Sequence, residues 1–194
     1  MTMPYSIIQP PFTLKFREMS KQELKDYFRW FFDVLPQRID ELGRAVNGTP
    51  GYETWQPDQT AASLNVLGEW FAAHVETRPR RPEEIQKIAD SCSFPIEIPS
   101  EELTNRTFSL AMDIGMYLSQ VFVKNHPTLQ WDHPLKGSKK YIDYGQPVLI
   151  GFGAMPFNPV HMMVTLAYGL MDKTKTGERL RGIYDYWEKL IKPI

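Results

Sequence analysis

Between residues 126 and 161 the chain gathers three of its four histidines and two aspartates, His126, Asp132, His133, Asp143 and His161, together with Tyr144 and with Trp131 and Tyr141 among them. Two carboxylates flanked by imidazoles are the raw material of a general acid/base pair or of a mixed His/carboxylate metal site. The spacing works against both. Alternation along a strand sends Asp132 and His133 to opposite faces, so they share one ion only across a bulge. The cluster therefore reads as a polar hairpin surface with aromatic support. A second arrangement is a pocket between residues 128–152 and the helix that begins at Asn158. There Gly145, Gly151 and Gly153 let backbone approach a ligand, and Asp143, Tyr144 and His161 supply polar contacts. The free N–H groups of that helix start favour an anion. This pocket is the enzymatic or small-molecule alternative.

Elsewhere the templates of chemistry fail. No G-x-S-x-G elbow, phosphate-cradling glycine loop, Rossmann fingerprint or H-E-x-x-H occurs, and a single cysteine cannot build a Cys-rich zinc site. That cysteine, Cys92, lies between Ser91 and Ser93 without a nucleophile signature and reads as a bystander thiol. Arg78, Arg80 and Arg81 form a cationic cluster whose simplest use is pairing with nearby carboxylates. Asp113 is the oddity, an acid inside an apolar run. On a helical wheel it shares an edge with Ser109, Gln120 and Lys124, which directs it to solvent or to a partner side chain; buried and hydrogen-bonded, it becomes a functional candidate. No cofactor or metal is implied by these residues.

The element that must position them is a helix over residues 100–125. Leu103, Leu110, Ala111, Ile114, Tyr117, Leu118, Val121 and Phe122 recur at three- and four-residue steps. Gly115 and Ser119 open a second, narrower side to close packing, so this helix is expected to be central and covered from two directions. Before it, residues 12–19 alternate as one strand does, with Phe12, Leu14 and Phe16 on one face. Ser20 and Glu23 then form a capping box, with Met19 and Leu24 placed as its hydrophobic staple. The helix that follows meets Pro36, which predicts a kink or a fresh start before Asn47-Gly48 ends it.

Further along, the turn-rich residues 51–58 are expected to lay Tyr52 and Trp55 over a core edge. A helix over 60–75 carries Gly68 as a close-crossing point. Residues 78–99 resemble a linker enclosing a short helix that Pro82 begins. Three segments, 128–133, 140–144 and 147–152, predict an antiparallel meander. Helices from Asn158 and from near Thr176 complete the chain, the last one docking through Leu180, Ile183, Tyr184 and Trp187. The expected fold is one α+β domain, with helices packed around a long central helix and a small antiparallel β-meander.

Composition sets the class. The 194 residues are 42% hydrophobic, which favours a folded domain, and 22 basic against 23 acidic residues leave a net charge of -1, which argues against a nucleic-acid binder. One cysteine allows no internal disulfide, the first residues lack signal-peptide character and no apolar run reaches membrane-spanning length. A cytoplasmic protein with no membrane association is expected.

The succession DIGMYLSQVFVKNHPTLQW, YGQPVLIGF and FNPV over residues 112–170 resembles a pattern in small bacterial α+β proteins of unknown function. Some of those look like immunity or accessory proteins encoded beside toxins. The matching positions Gly115, Leu118, Trp131, Pro147 and Asn158 all have structural explanations, and the resemblance transfers no functional residue. It implies a non-catalytic bacterial protein that binds another protein. The many aromatics in turns point the same way, because Tyr and Trp anchor interfaces. The expected surface is an aromatic patch around Trp55, Trp131 or Tyr141, and the expected partner is another protein or a second copy of the chain.

Overall fold

The computed structural model describes residues 5–191. Helix α1 (Lys21–Asn47) begins at the capping box: Ser20 Oγ accepts the Glu23 N–H at 3.2 Å, and the Glu23 carboxylate accepts the Ser20 N–H at 2.7 Å. Met19 and Leu24 are both buried beside it. Pro36 does not end the helix, which runs on to Asn47 with Gly48 as its cap. The missing N–H removes one helical hydrogen bond, but Phe31, Leu35, Leu42 and Val46 are buried on both sides of the break and hold the two halves in one element.

Helix α2 (Ser63–His74) leads into β1 (Thr77–Pro79), helix α3 (Pro82–Ser91) and β2 (Glu101–Leu103). Strands β1 and β2 pair antiparallel, with Thr77 opposite Leu103. Residues 77–103 are therefore a strand–helix–strand excursion in which the expected linker over 78–99 is enclosed, and none of the residues of α3 is buried. The arginines do pair with carboxylates: Arg78 and Arg81 with Glu84, Arg80 with Glu102 at 2.6 Å.

The central helix α4 (Asn105–Asn125) starts later than its apolar pattern suggests, because Glu101–Leu103 is strand and Thr104 is the cap, its Oγ1 accepting the Thr107 N–H at 3.2 Å. Every residue from Ser109 to Ser119 is buried. Helix α1 packs on one side of α4 and α5 (Pro159–Met171) on another. A Cβ at Gly115 would come within 2.8 Å of Pro159 O and 3.0 Å of Val160 Cα, so the glycine is what lets α5 approach. Helix α6 (Glu178–Glu188) crosses α2 where Gly68 faces Gly177 backbone to backbone.

Strand β3 (Gln130–Asp132) pairs antiparallel with β4 (Val148–Ile150), Trp131 opposite Leu149, and Leu149 also bridges Phe157. The expected meander loses its middle strand. Residues 140–144 are turns, held by Tyr144 N–H to Tyr141 O and by Gly145 N–H to Pro134 O. The expected strand over 12–19 is absent as well: Leu14 has φ 58° and residues 16–18 turn. Phe12 and Phe16 nevertheless share a side, their rings 5.5 and 5.0 Å from that of Tyr27. Both are half-buried, whereas Leu14, expected on the same face, is exposed, and no neighbouring strand lies there to pair with. The architecture is α+β, helices around α4 with two small antiparallel sheets, and among the described residues no helix is long and apolar enough to cross a membrane.

The two close crossings predict the cost of a single methyl group. Gly68→Ala and Gly115→Ala each force backbone apart and are expected to lose about 1 to 3 kcal/mol in denaturant unfolding. Gly43→Ala, whose added Cβ meets nothing nearer than 3.9 Å, serves as the control. Equal midpoints for all three variants would refute the close-crossing account.

Candidate functional site

The strongest polar constellation is buried. Arg38 Nε and Nη2 donate to the two oxygens of Asp113 at 2.8 and 2.7 Å, and the Tyr5 hydroxyl donates to the same carboxylate at 2.5 Å. Ser109 Oγ lies 2.7 Å from Tyr5 Oη and accepts the Ile8 N–H at 2.8 Å. Arg38 also donates to Ser6 O at 2.9 Å, while the Ser6 N–H donates to Glu41 at 2.6 Å. Residues 5–8 are thereby strapped across α1 and α4. Burial pushes the Asp113 carboxyl up to about 6, against the downward pull of the Arg38 and Tyr5 hydrogen bonds. The Tyr5 phenol is pushed up by burial and by the Asp113 charge.

Both carboxylate oxygens are occupied by donors, so Asp113 ties α4 to α1 and to the strap. Of the polar edge expected on this helix, Lys124 reaches solvent and Gln120 half does, whereas Ser109 and Asp113 do not. Arg38 was not a sequence candidate. Its signal is its place in α1, a charge on the buried side between Leu35 and Leu42.

The second constellation is exposed. Residues 14–18 with Ile142, Tyr144 and Gln146 line a shallow cleft of about 280 Å³, in which Lys15 and Glu18 pair with each other at 3.4 Å. Arg17 donates to Lys140 O at 3.2 Å and ties the loop over residues 133–146 to the segment before α1. Beneath this loop Asn158 Nδ2 donates to Asp143 Oδ1 at 2.9 Å and to Gln146 Oε1 at 3.0 Å, and the Tyr141 hydroxyl donates to Asp143 Oδ2 at 3.2 Å. The same asparagine caps α5, its Oδ1 accepting the His161 N–H at 3.0 Å. Asp143 and Asn158 thus fix the loop to the helix start. Arg17, Lys136, Lys139 and Lys140 form no ion pair among the described residues.

Three sequence candidates meet here: Tyr141 is exposed, Asp143 is buried under it and Tyr144 lines the cleft. His161 contributes its backbone N–H to the Asn158 cap, but its side chain is exposed on α5 and does not line the cleft. Trp55 is a core residue, buried edge-on against Tyr117 at 5.6 Å with Nε1 donating to Ser63 O at 3.0 Å. Trp131 is half-buried against Phe31 and Phe32 of α1. Only Tyr141 of the expected aromatic patch belongs to an exposed surface, so the three rings do not form one patch.

The other imidazoles are dispersed. His126 lies 3.1 Å from the Tyr184 hydroxyl and 3.0 Å from Glu188 Oε1. His133 stacks on Phe28 at 4.5 Å, and burial lowers its pKa. Among the described residues no group of three or more His, Cys, Asp or Glu side chains is placed to hold a metal. No protein-family model, curated protein sequence or solved structure matches the chain.

The buried pair has a pH signature. Folding raises the Asp113 pKa to about 6 from the lower range of an unfolded carboxylate. The folded state therefore holds the extra proton between those values, and this group favours folding more as pH falls through that window. Asp113→Asn removes the titrating group. Denaturant titrations at about pH 7.5 and about pH 4 are expected to show the wild type gaining on D113N at the acid end. A gap independent of pH, or one that moves the other way, contradicts the assignment.

Proposed function

We propose that this protein is a non-catalytic binding module that engages another protein through the face formed by residues 14–17 and 135–146. The carrying observation is the set of four cations without an ion pair among the described residues, Arg17, Lys136, Lys139 and Lys140, near a shallow cleft of mixed lining that includes Leu14, Phe16 and Ile142. Ile142 is 57% exposed and Tyr141 39%, so the same loop presents apolar and cationic groups together. Leu14, on the other wall, is 40% exposed and sits in a left-handed backbone that disfavours a Leu side chain. Strain kept at an exposed apolar residue fits a contact surface better than a free one.

The chemistry of the face selects an acidic partner segment that carries one apolar side chain for the cleft. Opposite charge speeds encounter and sets orientation, and the apolar insertion adds affinity. Nucleic acid fits less well, because the chain as a whole is slightly acidic and the cleft is lined by Leu14, Phe16 and Ile142. The resemblance to bacterial immunity and accessory proteins makes a cytoplasmic guard against a toxin the concrete form of this role.

A photo-crosslinking amino acid in place of Ile142 tests the reading in the source cell. One reproducible protein adduct is expected, and the K139E/K140E change is expected to weaken its capture by about tenfold or more at low salt. Capture indifferent to charge reversal, or nucleic acid as the captured material, would count against it.

A further inference from the structure

Leu14 also borders a larger and more apolar groove, of about 460 Å³, on the strap side of the molecule. Its floor is one stripe of α4, since Asn105, Phe108, Ser109 and Met112 recur at helical steps. Val160 and Val164 of α5 form one wall, and the strap around Ile8 forms the other. Of the polar side chains along it, Ser109 Oγ is taken by the Ile8 N–H and by Tyr5, which leaves the amides of Gln9 and Asn105 among apolar neighbours. What faces the groove is therefore mainly hydrocarbon.

The groove does not end in hydrocarbon. Asn105, at the start of α4, also borders a polar hollow of about 530 Å³ lined by Arg78, Arg81 and Thr104. Arg78 and Arg81 share one carboxylate, Glu84, at 2.7 and 3.4 Å, and so leave a net positive charge at this mouth. The apolar volume lies within the range of small-molecule sites.

We infer that this slot binds a single-chain amphipathic anion, an acyl chain with a carboxylate head. The tail lies along α4 from Met112 toward Asn105, and the head meets Arg78 and Arg81. Seven helical rises separate Asn105 from Met112, about 10 Å, which accommodates a tail of about eight carbons. The site is separate from the cationic face around Lys140 and stands or falls without it.

Calorimetric titration of the full chain with hexanoate, octanoate and decanoate, each below its micelle concentration, tests this. One-to-one binding is expected, tightening roughly fourfold per added methylene until the slot is full. Decanoate is expected to bind more tightly than decanol or decyltrimethylammonium. Val164→Trp fills the slot and is expected to abolish binding of all of them. Arg81→Glu, at an exposed side chain, is expected to weaken decanoate about fivefold or more while leaving decanol and the unfolding midpoint unchanged. The inference is overturned if decanoate shows no saturable binding to the wild type, or if binding persists in a folded V164W. It is overturned equally if decanoate and decanol bind alike and both ignore R81E, a comparison that holds even should V164W fail to fold.

Discussion

The pairing of Arg38 with Asp113 is the constraint on which the rest of the arrangement depends. Both charges lie out of water, and moving an ion inside costs several kcal/mol even after relaxation. Mutual attraction offsets that only when geometry is good and the remaining donors are satisfied. Here the Tyr5 hydroxyl completes the carboxylate and Ser6 O takes a guanidinium N–H. Few placements of α1 against α4 meet all these conditions. A slip of α1 by one residue would leave a charge unpaired in apolar surroundings, so the pair contributes register more than stability. Because the strap shares these hydrogen bonds, its position is set by the same interaction.

That register carries outward to both proposed surfaces. The strap forms a wall of the apolar groove, and Leu14 stands between this groove and the shallow cationic cleft. The other side of the cleft is set from α5 through Asn158, which caps the helix and holds Asp143 and Gln146 of the loop. Helix α5 in turn reaches its place because Gly115 of α4 admits Pro159. The cleft is thus built from segments lacking regular structure, and the groove from such a segment laid against α4 and α5, all positioned by helices whose mutual placement is tightly determined. Such a division suits binding, where loops provide contacts and the scaffold limits their movement.

Local features were legible in the sequence. The Ser20–Glu23 box, the Asn158–Pro159 helix start, the docking of the last helix and the close crossing at Gly68 are written in neighbouring residues or in one helical stripe. Features that depend on a distant partner were not. A strand exists only where another strand meets it, so residues 12–19 and 140–144 look extended but find no ladder, whereas the short β1 and β2 pair without a strong pattern. Trp55 illustrates the same limit: a tryptophan in a turn-rich segment suits a surface or a core, and Tyr117 decides for the core. For the candidate site, Tyr141, Asp143 and Tyr144 were visible as a cluster. The cations beside them drew no notice, since solvated lysines and unpaired ones look alike until their neighbours are placed. Asp113 stood out by polarity, but its partner 75 positions away could not be read from α4 alone.

The most direct test of the central constraint compares one-sided with two-sided replacement of the pair, by denaturant unfolding together with amide exchange in the strap. Asp113→Ala and Arg38→Ala each strand a buried charge and are predicted to lose about 3 to 5 kcal/mol, whereas R38M/D113L is predicted to stay within about 2 kcal/mol of the wild type. In that apolar double variant the Ser6 and Ile8 amides are predicted to exchange faster, because the strap has lost its anchor. A double variant as unstable as the two single losses combined, or strap amides protected as in the wild type, would contradict the claim that this pair supplies register to the molecule.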